Sequence, residues 1–330
     1  MSMVVIKPGM LSSFQDAGRH GHQPLGISVV GAMDQRAHRL ANILVGNDAQ
    51  TASLEITLTG PTLKFKEPCC IALSGADLSA TLNGQTVALN RPLIVRPQDE
   101  LAFGARKHGT RCYLAVHGGF ALTPVLGSTS TYLRSHFGGW HGRALQKGDE
   151  IAFARPLKNK SLEAVAMELW AIKIYLPAAI ADSSRQRIRL IKSALWNEFT
   201  PESCVALLTE TFRVSSDSER MGYRLTGTPL LMSKPRQLLS EATTFGTIQV
   251  PAGGQPIILM ADRQTTGGYP KMAYVATVDL PLLAQRAPGD ALKFEAITLE
   301  RAQELDAARE RAWQALSQTV KPIQDLLLKH

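Results

Sequence analysis

The chain has 330 residues, of which 45% are hydrophobic and 19% are charged. These proportions are ordinary for a soluble globular protein and exclude an intrinsically disordered one, and no apolar run approaches the roughly 20 residues that cross a membrane. Because one hydrophobic core rarely grows beyond about 250 to 300 residues, the length predicts two domains.

The net charge of +8 does not by itself indicate a nucleic-acid partner. Proteins of that class gather basic side chains on a recognisable binding element, and this sequence has none. The densest basic stretch, residues 155–192, contains eight Lys or Arg and three Asp or Glu. We interpret it as a solvated linker between domains, with an acidic partner or a phosphate ligand as the alternative.

The N-terminus and the cysteines indicate a cytoplasmic protein. The first apolar run is interrupted at Lys7 and Pro8, too early for a signal peptide. The four cysteines form no CxxC pair and have no histidine at zinc spacing. We expect reduced, mostly buried thiols and no metal site.

Short β-branched and apolar runs recur in both halves of the chain, separated by Gly, Pro, Asn or Asp at roughly ten-residue spacing. The clearest runs are residues 54–65, 112–120, 246–251 and 256–262. This spacing is typical of sandwiches and barrels rather than of βαβ units. We therefore predict a mainly β fold.

Two segments have helical periodicity instead. Residues 34–47 place apolar side chains on one face, with Asp34 positioned to cap the start and Gly46 the end. A second apolar stripe follows from Thr298, formed by Leu305, Ala308, Ala312 and Leu316. The first segment predicts an internal helix and the second a C-terminal helix.

The two halves also resemble each other faintly. Residues 71–78 (IALSGADL) are similar to residues 257–264 (IILMADRQ), and residues 148–153 are similar to residues 289–294. In the second pair a Gly-Asp turn precedes an alternating strand. This pattern indicates two related barrels, with similar turn chemistry and no common ancestry as the alternative.

A first cluster of unusual polar residues opens the chain, in the glycine-rich residues 8–34. Glycines let backbone N–H groups approach a ligand, Gln and Arg donate to a carbonyl oxygen, and Asp accepts from an N–H. The combination suits recognition of an N–C=O unit. The structural alternatives are a helix cap for Asp34 and a local salt bridge between Asp16 and Arg19. The residues singled out are Gln15, Asp16, Arg19, His20, His22, Ser28 and Asp34.

A second polar cluster comes late, in residues 218–227 and 240–271. Asp262 and Gln264 follow an apolar strand, where an unpaired buried polar group costs about 1 to 3 kcal/mol. They mark either a strand end at a pocket or a hydrogen-bonded turn. The polar residues of this cluster are Arg220, Glu241, Gln249, Asp262, Gln264, Thr265, Thr266 and Tyr269.

Several motifs are absent from the sequence. There is no GxxxxGK[ST] phosphate loop, no GxSxG nucleophile elbow and no HExxH pair. His20 and His22 have no third ligand in a metal pattern, so unliganded loop histidines are the favoured interpretation. Any ATP is therefore expected to be held in another way or by a partner.

The chain resembles the carboxyltransferase-domain family that includes allophanate hydrolase subunit 2, KipA and the C subunit of 5-oxoprolinase. The resemblance covers about residues 4–295 and implies two cyclophilin-like β-barrel domains. The corresponding boundaries are 1–155 for the first domain, 156–187 for a linker, 188–297 for the second domain and 298–330 for the C-terminal helix. The resemblance rests on these runs, which occur in order: QDAGRHGHQPLGIS, GAMD, ANILVGN, LEITLTGP, RCYLAVHGG, GSTSTYL, ERMGYRL, GTIQVP, GGQPIILMADRQTTGGYPK and PGDALKF.

This resemblance implies one component of an ATP-hydrolysing 5-oxoprolinase, which opens a small cyclic amide and is active only with two partners, one KipI-like (the B component) and one LamB/YcsF-like (the A component). The alternatives are a biotin-dependent carboxyltransferase acting on urea or a similar amide, and a KipA-like regulator that binds a KipI-like kinase inhibitor. No membrane or nucleic-acid partner is implied. The chain lacks the Met-Lys-Met context of a biotin carrier, since Lys271 has only half of it, so no biotin is expected on this chain.

Site residues follow from the two polar clusters and the resemblance together. Arg and Gln side chains would stabilise a developing oxyanion, and a carboxylate would accept a proton. We predict that the two clusters meet in one cleft. The predicted catalytic residues are Asp16, Arg19, Asp262 and Gln264, and the predicted substrate-binding residues are Gln15, Ser28, Asp34, Glu55, Arg220, Gln249, Thr265 and Tyr269.

One segment departs from the family pattern. Relatives usually carry a Pro-Gly-Pro turn where this chain has Lys192, Ser193 and Ala194. If that turn touches the ligand, the resemblance does not establish the substrate specificity of this chain.

Overall fold

The computed structural model describes residues 2–155, 157, 162–181, 185–234 and 238–329. It confirms the mainly β architecture. The described residues divide into two compact units. The first comprises Met1–Arg19, Asp34–Ile180 and Ala312–His330, and the second His20–Met33 and Ala181–Arg311. The predicted domain boundaries stay predictions.

The first unit contains two antiparallel sheets that share one apolar core. The six-stranded sheet has the order β11-β1-β4-β9-β6-β7, and the five-stranded sheet has the order β2-β3-β10-β5-β8. Phe14, Leu54, Phe65 and Leu114 are among the fully buried core side chains. The strands are β1 Ser2–Lys7, β2 Leu11–Gln15, β3 Ser53–Thr57, β4 Thr62–Phe65, β5 Cys69–Asp77, β6 Thr81–Leu82, β7 Gln85–Thr86, β8 Pro92–Val95, β9 Glu100–Ala102, β10 His108–Val116 and β11 Glu150–Ala152.

Helix α1, Gln35–Leu44, lies where the sequence predicts it. The Asp34 carboxylate accepts a 2.9 Å hydrogen bond from the backbone N–H of Ala37, so the predicted N-cap is confirmed. Gly46 follows the last turn with φ +70°, the left-handed conformation that favours glycine after a helix. The helix packs against β5 and β10.

Helix α2, Leu162–Ala171, lies inside the predicted linker. Its Val165 and Leu169 are buried, and it packs against β8 of the first unit. This part of the basic stretch is therefore folded onto the unit, because two apolar side chains one turn apart give the helix a face to bury.

The second unit is built around a closed barrel of seven strands in the order β12-β19-β16-β17-β14-β13-β20, with β12 and β20 pairing in parallel. Leu190, Ile248, Ile258 and Phe294 fill its interior. A two-stranded sheet joins β15 to β18. The strands are β12 Arg187–Lys192, β13 Phe212–Val214, β14 Gly222–Thr226, β15 Glu241–Ala242, β16 Thr247–Gln249, β17 Ile257–Leu259, β18 Thr266–Gly267, β19 Lys271–Val275 and β20 Ala291–Ile297. Its helices are α3 Pro201–Thr209 and α4 Leu280–Ala284.

The two Gly-Asp turns predicted from the internal similarity have the same construction. Gly148 and Gly289 have φ of +90° and +88°. Each following aspartate accepts a hydrogen bond from the N–H three residues before it, at 2.8 Å for Asp149 and 2.9 Å for Asp290. Each glycine N–H also donates to a valine carbonyl of a neighbouring strand. Both predicted Gly-Asp turns are confirmed, and whether the two barrels are related stays open between the two interpretations given above.

The C-terminal region forms two helices, where the sequence analysis predicted one. Helix α5, Leu299–Thr319, buries Ala302, Trp313 and Leu316, and helix α6, Lys321–Lys329, follows. Pro322 explains the break, since proline lacks the N–H that a helix interior needs but fits a first turn. Within the described ranges, no helix has the length and apolar character to cross a membrane.

Candidate functional site

Asp16 follows β2 and is held by a dense set of donors. Its carboxylate accepts hydrogen bonds from the Gly18 N–H at 2.8 Å, the Ser128 hydroxyl at 2.8 Å, the Thr129 N–H at 2.6 Å and the Ser130 hydroxyl at 2.5 Å. Burial raises the pKa of this carboxyl, but the hydrogen bonds outweigh burial and lower the pKa below its usual value. The contacts therefore indicate that Asp16 is a charged carboxylate that holds the loop in place. They do not favour a role for Asp16 as a proton acceptor in catalysis.

Arg19 is fully buried and binds the same loop. Its Nε donates to the Val125 carbonyl at 2.9 Å and its Nη2 to the Ser130 carbonyl at 3.0 Å. The guanidinium lies 4.8 Å from the centroid of the Phe137 ring. A Cβ on Gly138 would lie 2.9 Å from Nη2, so glycine is required there for this packing. Arg19 and Asp16 thus fix one segment of the first unit.

The five-stranded sheet carries a second polar group on the face beneath α1. The Tyr113 hydroxyl donates to Glu55 at 2.7 Å and accepts from the Asp34 N–H at 2.7 Å, while His38 of α1 bonds Ser53 at 2.7 Å. Strand register places these additional buried side chains on the same face: Ser13, Gln15, Thr57, Ser74 and Arg111. These groups are buried between the sheet and helix α1, and two of their atoms, Gln15 Oε1 and His38 Nε2, have no hydrogen-bond partner among the described residues.

His38 is neutral at physiological pH in this network. Burial lowers the pKa of the imidazole to about 4, although the Asp16 and Glu55 charges oppose the shift. The Tyr113 pKa is raised, chiefly by burial and then by the Glu55 charge. The phenol therefore stays protonated and donates a hydrogen bond to Glu55. Neither residue was singled out in the sequence, because a lone His in a helix and a Tyr in a strand look like core residues.

The second unit pairs two predicted site residues directly. Arg220 donates to Asp262 through Nε at 3.0 Å and Nη2 at 2.8 Å, and Nη2 also donates to the Gly31 carbonyl at 2.7 Å. The preceding Val30 has φ +63°, a strained conformation for a β-branched residue that costs about 1 to 3 kcal/mol. Arg220 therefore holds a strained turn against the Asp262 carboxylate.

Arg263, between two predicted site residues, was missed by the sequence analysis. Its side chain is buried, and its carbonyl accepts a 2.8 Å hydrogen bond from the predicted residue Ser28. The guanidinium lies 5.9 Å from the Phe245 ring centroid. Its position between Asp262 and Gln264 was the signal that could have drawn attention to it.

Two predicted glutamines approach the same glycine of β18. A Cβ on Gly267 would lie 2.6 Å from Nε2 of Gln249 and 3.4 Å from Nε2 of Gln264, so both amides face this position. Gln249 is 1% exposed, and its Nε2 has no hydrogen-bond acceptor among the described residues. Thr243 lies on the same side and donates to the Gln264 carbonyl at 2.5 Å.

The other predicted residues of the second unit border this group. Thr265 is half-buried and its carbonyl accepts a 2.9 Å hydrogen bond from the Thr243 N–H, while Tyr269 is 53% exposed. The second unit thus contains two groups of predicted residues, the Arg220–Asp262 pair and the two glutamine amides beside Gly267. That both groups belong to one site stays a prediction. The predicted approach of Gln15, Asp16 and Arg19 to this group joins the two units, and it stays a prediction.

Comparison with known proteins gives the same family as the sequence resemblance described above, and the match extends over nearly the whole chain. Residues 25–296 match the carboxyltransferase domain, subdomain A and B. The C subunit of Escherichia coli 5-oxoprolinase is 39% identical over 315 residues, covering 95% of this chain and 97% of that protein. The C subunit of Haemophilus influenzae 5-oxoprolinase is 39% identical over 294 residues, covering 89% and 91%.

A solved structure extends the likeness to the fold. The Kluyveromyces lactis urea amidolyase superposes with a TM-score of 0.85 at 28% identity and covers 96% of this chain. The chain spans only 20% of that larger protein. With the family match and the identities above, the chain belongs to the carboxyltransferase domain family, subdomains A and B.

Proposed function

We propose that this chain is the C subunit of an ATP-dependent 5-oxoprolinase, which opens 5-oxoproline to glutamate together with partner subunits in the cytoplasm. The observation that carries the proposal is the 39% identity to a protein of that name over 97% of its length. The match covers nearly the full length of both sequences rather than one module of a larger protein.

The second unit offers the groups that such a reaction needs. A lactam is a resonance-stabilised amide, so water adds to its carbonyl carbon readily only when the carbonyl oxygen is activated. Gln249 and Gln264 can donate to that oxygen, and Asp262 can take a proton from the attacking water and return it to the ring nitrogen as the C–N bond breaks. Addition of water and cleavage of the ring C–N bond then release the amine and carboxylate of glutamate.

The chain has no phosphate loop that could hold ATP, and the lysine of its TTGGYPK run has other partners. Lys271 of the TTGGYPK run is buried, and its ammonium group donates to Glu241 at 2.9 Å and to the Ala242 carbonyl at 2.8 Å. A lysine engaged in this way is not available as the point charge that a phosphate loop places on a nucleotide. We therefore propose that a partner protein holds ATP.

Reconstitution tests the proposal. The purified chain alone should show no 5-oxoproline-dependent ATP hydrolysis, and it should gain this activity on mixing with its KipI-like and LamB/YcsF-like partners. Glutamate formation in the mixture is the positive readout. Robust turnover by the isolated chain, or no glutamate from the full mixture, would contradict the proposal.

A second function is favoured by the superposition on urea amidolyase. In that case the chain would move a carboxyl group from carboxybiotin to urea or a similar amide, with biotin carried by another protein. Both reactions use N–C=O recognition, so the same residues serve either. Carboxylation of urea by the chain with a carboxylated biotin carrier would support this function, and its absence alongside glutamate formation would reject it.

A further inference from the structure

The Arg263 guanidinium is a buried cation whose surroundings are incomplete. The residue is 9% exposed, and its Nε has no hydrogen-bond acceptor among the described residues. Among the described residues, Nη1 reaches only the Met260 carbonyl, at a long 3.5 Å. Buried arginines are normally paired, because removing a charge from water is costly unless a counter-charge and hydrogen bonds replace the water.

The neighbouring Asp262 carboxylate does not supply the acceptor that the Arg263 Nε lacks. Asp262 directs both oxygens to Arg220, which grips it in a bidentate pair. Two guanidinium groups therefore lie within the influence of the Asp262 carboxylate, which is already paired with Arg220. Burial lowers the pKa of Arg263 to about 10, with the Asp262 charge opposing the shift, so the side chain is still charged at neutral pH.

The backbone and the ring beside Arg263 keep it in place and leave its Nε–H without an acceptor among the described residues. Ser28 binds the Arg263 carbonyl, and the Phe245 ring contacts the guanidinium from one side. A planar cation with a free Nε–H edge, held by a ring, presents a fork that matches a carboxylate. The geometry suits a ligand that brings its own negative charge.

We propose that Arg263 binds the carboxylate of the substrate through its Nε–H edge and makes this chain selective for amides that carry a carboxylate. The inference rests on the proposed function. It adds a residue that recognises a part of the substrate other than the reacting amide bond. It separates 5-oxoproline, which has a carboxylate beside its lactam, from urea, which has none.

The test compares two lactams that differ only in this group. L-5-oxoproline and 2-pyrrolidone are titrated into the full-length chain by calorimetry, with wild type, Arg263→Gln and the control Arg224→Gln, which alters an exposed arginine of β14. Wild type and the control should prefer 5-oxoproline. Arg263→Gln should lose about 10- to 100-fold in affinity for 5-oxoproline, as expected for one charged hydrogen-bonded contact, and should bind 2-pyrrolidone unchanged.

A wild-type chain without preference for 5-oxoproline, or an Arg263→Gln chain that keeps the preference, would overturn the inference. Should Arg263→Gln fail to fold by circular dichroism, Arg263→Lys replaces it. That variant keeps the charge but loses the fork, so it should keep part of the preference, and an affinity equal to wild type would count against the inference. A chain that shows the Arg263-dependent preference, in a complex that makes no glutamate, would reject the proposed function and leave this inference intact.

Discussion

Asp16 and Arg263 are both buried charges, but the protein treats them in opposite ways. The Asp16 carboxylate receives hydrogen bonds from hydroxyls and N–H groups of its own unit, whereas the Arg263 Nε has no acceptor among the described residues. Since a buried charge needs compensation, the protein completes the first, and we propose that a ligand completes the second. Burial and charge alone therefore do not identify a binding residue.

The glutamines repeat the contrast. Gln15 in the first unit donates to Ser13 at 3.0 Å and to the Thr131 carbonyl at 3.2 Å, so its amide N–H groups hold the fold. The Nε2 of Gln249 in the second unit has no such acceptor among the described residues. The Oε1 of Gln15 also has no donor among the described residues, so the contrast concerns the amide N–H groups alone. We propose that the unused N–H groups of the second unit bind the substrate.

The largest expected effect is on the stability of the first unit. Asp16→Asn would place an amide against donors that need an acceptor, and we expect a loss of about 3 kcal/mol or more in the free energy of unfolding. Because the Asp16 pKa is lowered in the folded state, its contribution is present above its usual pKa of 3.8 and is lost as pH falls through the lower folded value.

Urea denaturation near neutral pH measures this loss. The matched control is Asp48→Asn, at an exposed aspartate, which should stay within about 0.5 kcal/mol of wild type. Wild-type stability in Asp16→Asn would break the contrast between the units.

His38 should make stability depend on pH. Its folded pKa of about 4 lies below the usual 6.5, so the unfolded state binds more protons between these values. Stability is therefore full above about pH 6.5 and falls as pH drops towards 4, by roughly 3 kcal/mol for this group. Denaturation across that range should show a shallower fall in His38→Gln than in wild type. The exposed-site variant His108→Gln should follow wild type, and the same slope in all three would exclude His38 as the cause.

Asp262→Asn should act mainly on turnover. Losing the carboxylate removes the proposed proton acceptor and releases Arg220, so glutamate formation by the reconstituted complex should fall by roughly 10² or more. The control is the exposed Asp217→Asn, which should keep wild-type turnover. Unchanged turnover in Asp262→Asn would reduce Asp262 to a structural partner of Arg220.

Gly267→Ala tests whether the amides of Gln249 and Gln264 lie at the substrate site. The added methyl would lie 2.6 Å from Nε2 of Gln249, so the side chains must shift, at about 1 to 3 kcal/mol. We expect a roughly tenfold rise in KM for 5-oxoproline, following from part of that cost. Gly253→Ala is the matched control, because a Cβ there meets nothing within 4 Å. Equal KM values in both variants would place the substrate elsewhere.

Local patterns predicted much of the fold. The helix after Asp34 and the two Gly-Asp turns depend on capping and turn residues that act within a few positions, and all three are confirmed. Helix α2 was interpreted as linker because the basic residues on either side of it concealed its own apolar sequence, in which Glu163 and Glu168 are the only charges. The break before α6 could have been predicted from Pro322.

The candidate site was less accessible to sequence reasoning. Polar residues near glycines were found, but their partners lie far along the chain: Arg220 meets Asp262 across 42 positions, and Asp16 meets Ser128 across 112. Whether a buried group is satisfied depends on those partners, so no local pattern separates Gln15 from Gln249. The same reason explains why Arg263 was missed between two residues that were singled out.

The central claim is that the second unit presents donors that the protein itself does not use, and Gln249→Leu tests it most directly. The change removes the amide and keeps the approximate volume of the side chain. Since Nε2 has no acceptor among the described residues, the melting temperature should be unchanged or slightly higher. Glutamate formation by the reconstituted complex should fall about 10²-fold, as for loss of one oxyanion donor. Wild-type glutamate formation by a folded Gln249→Leu complex would contradict the account.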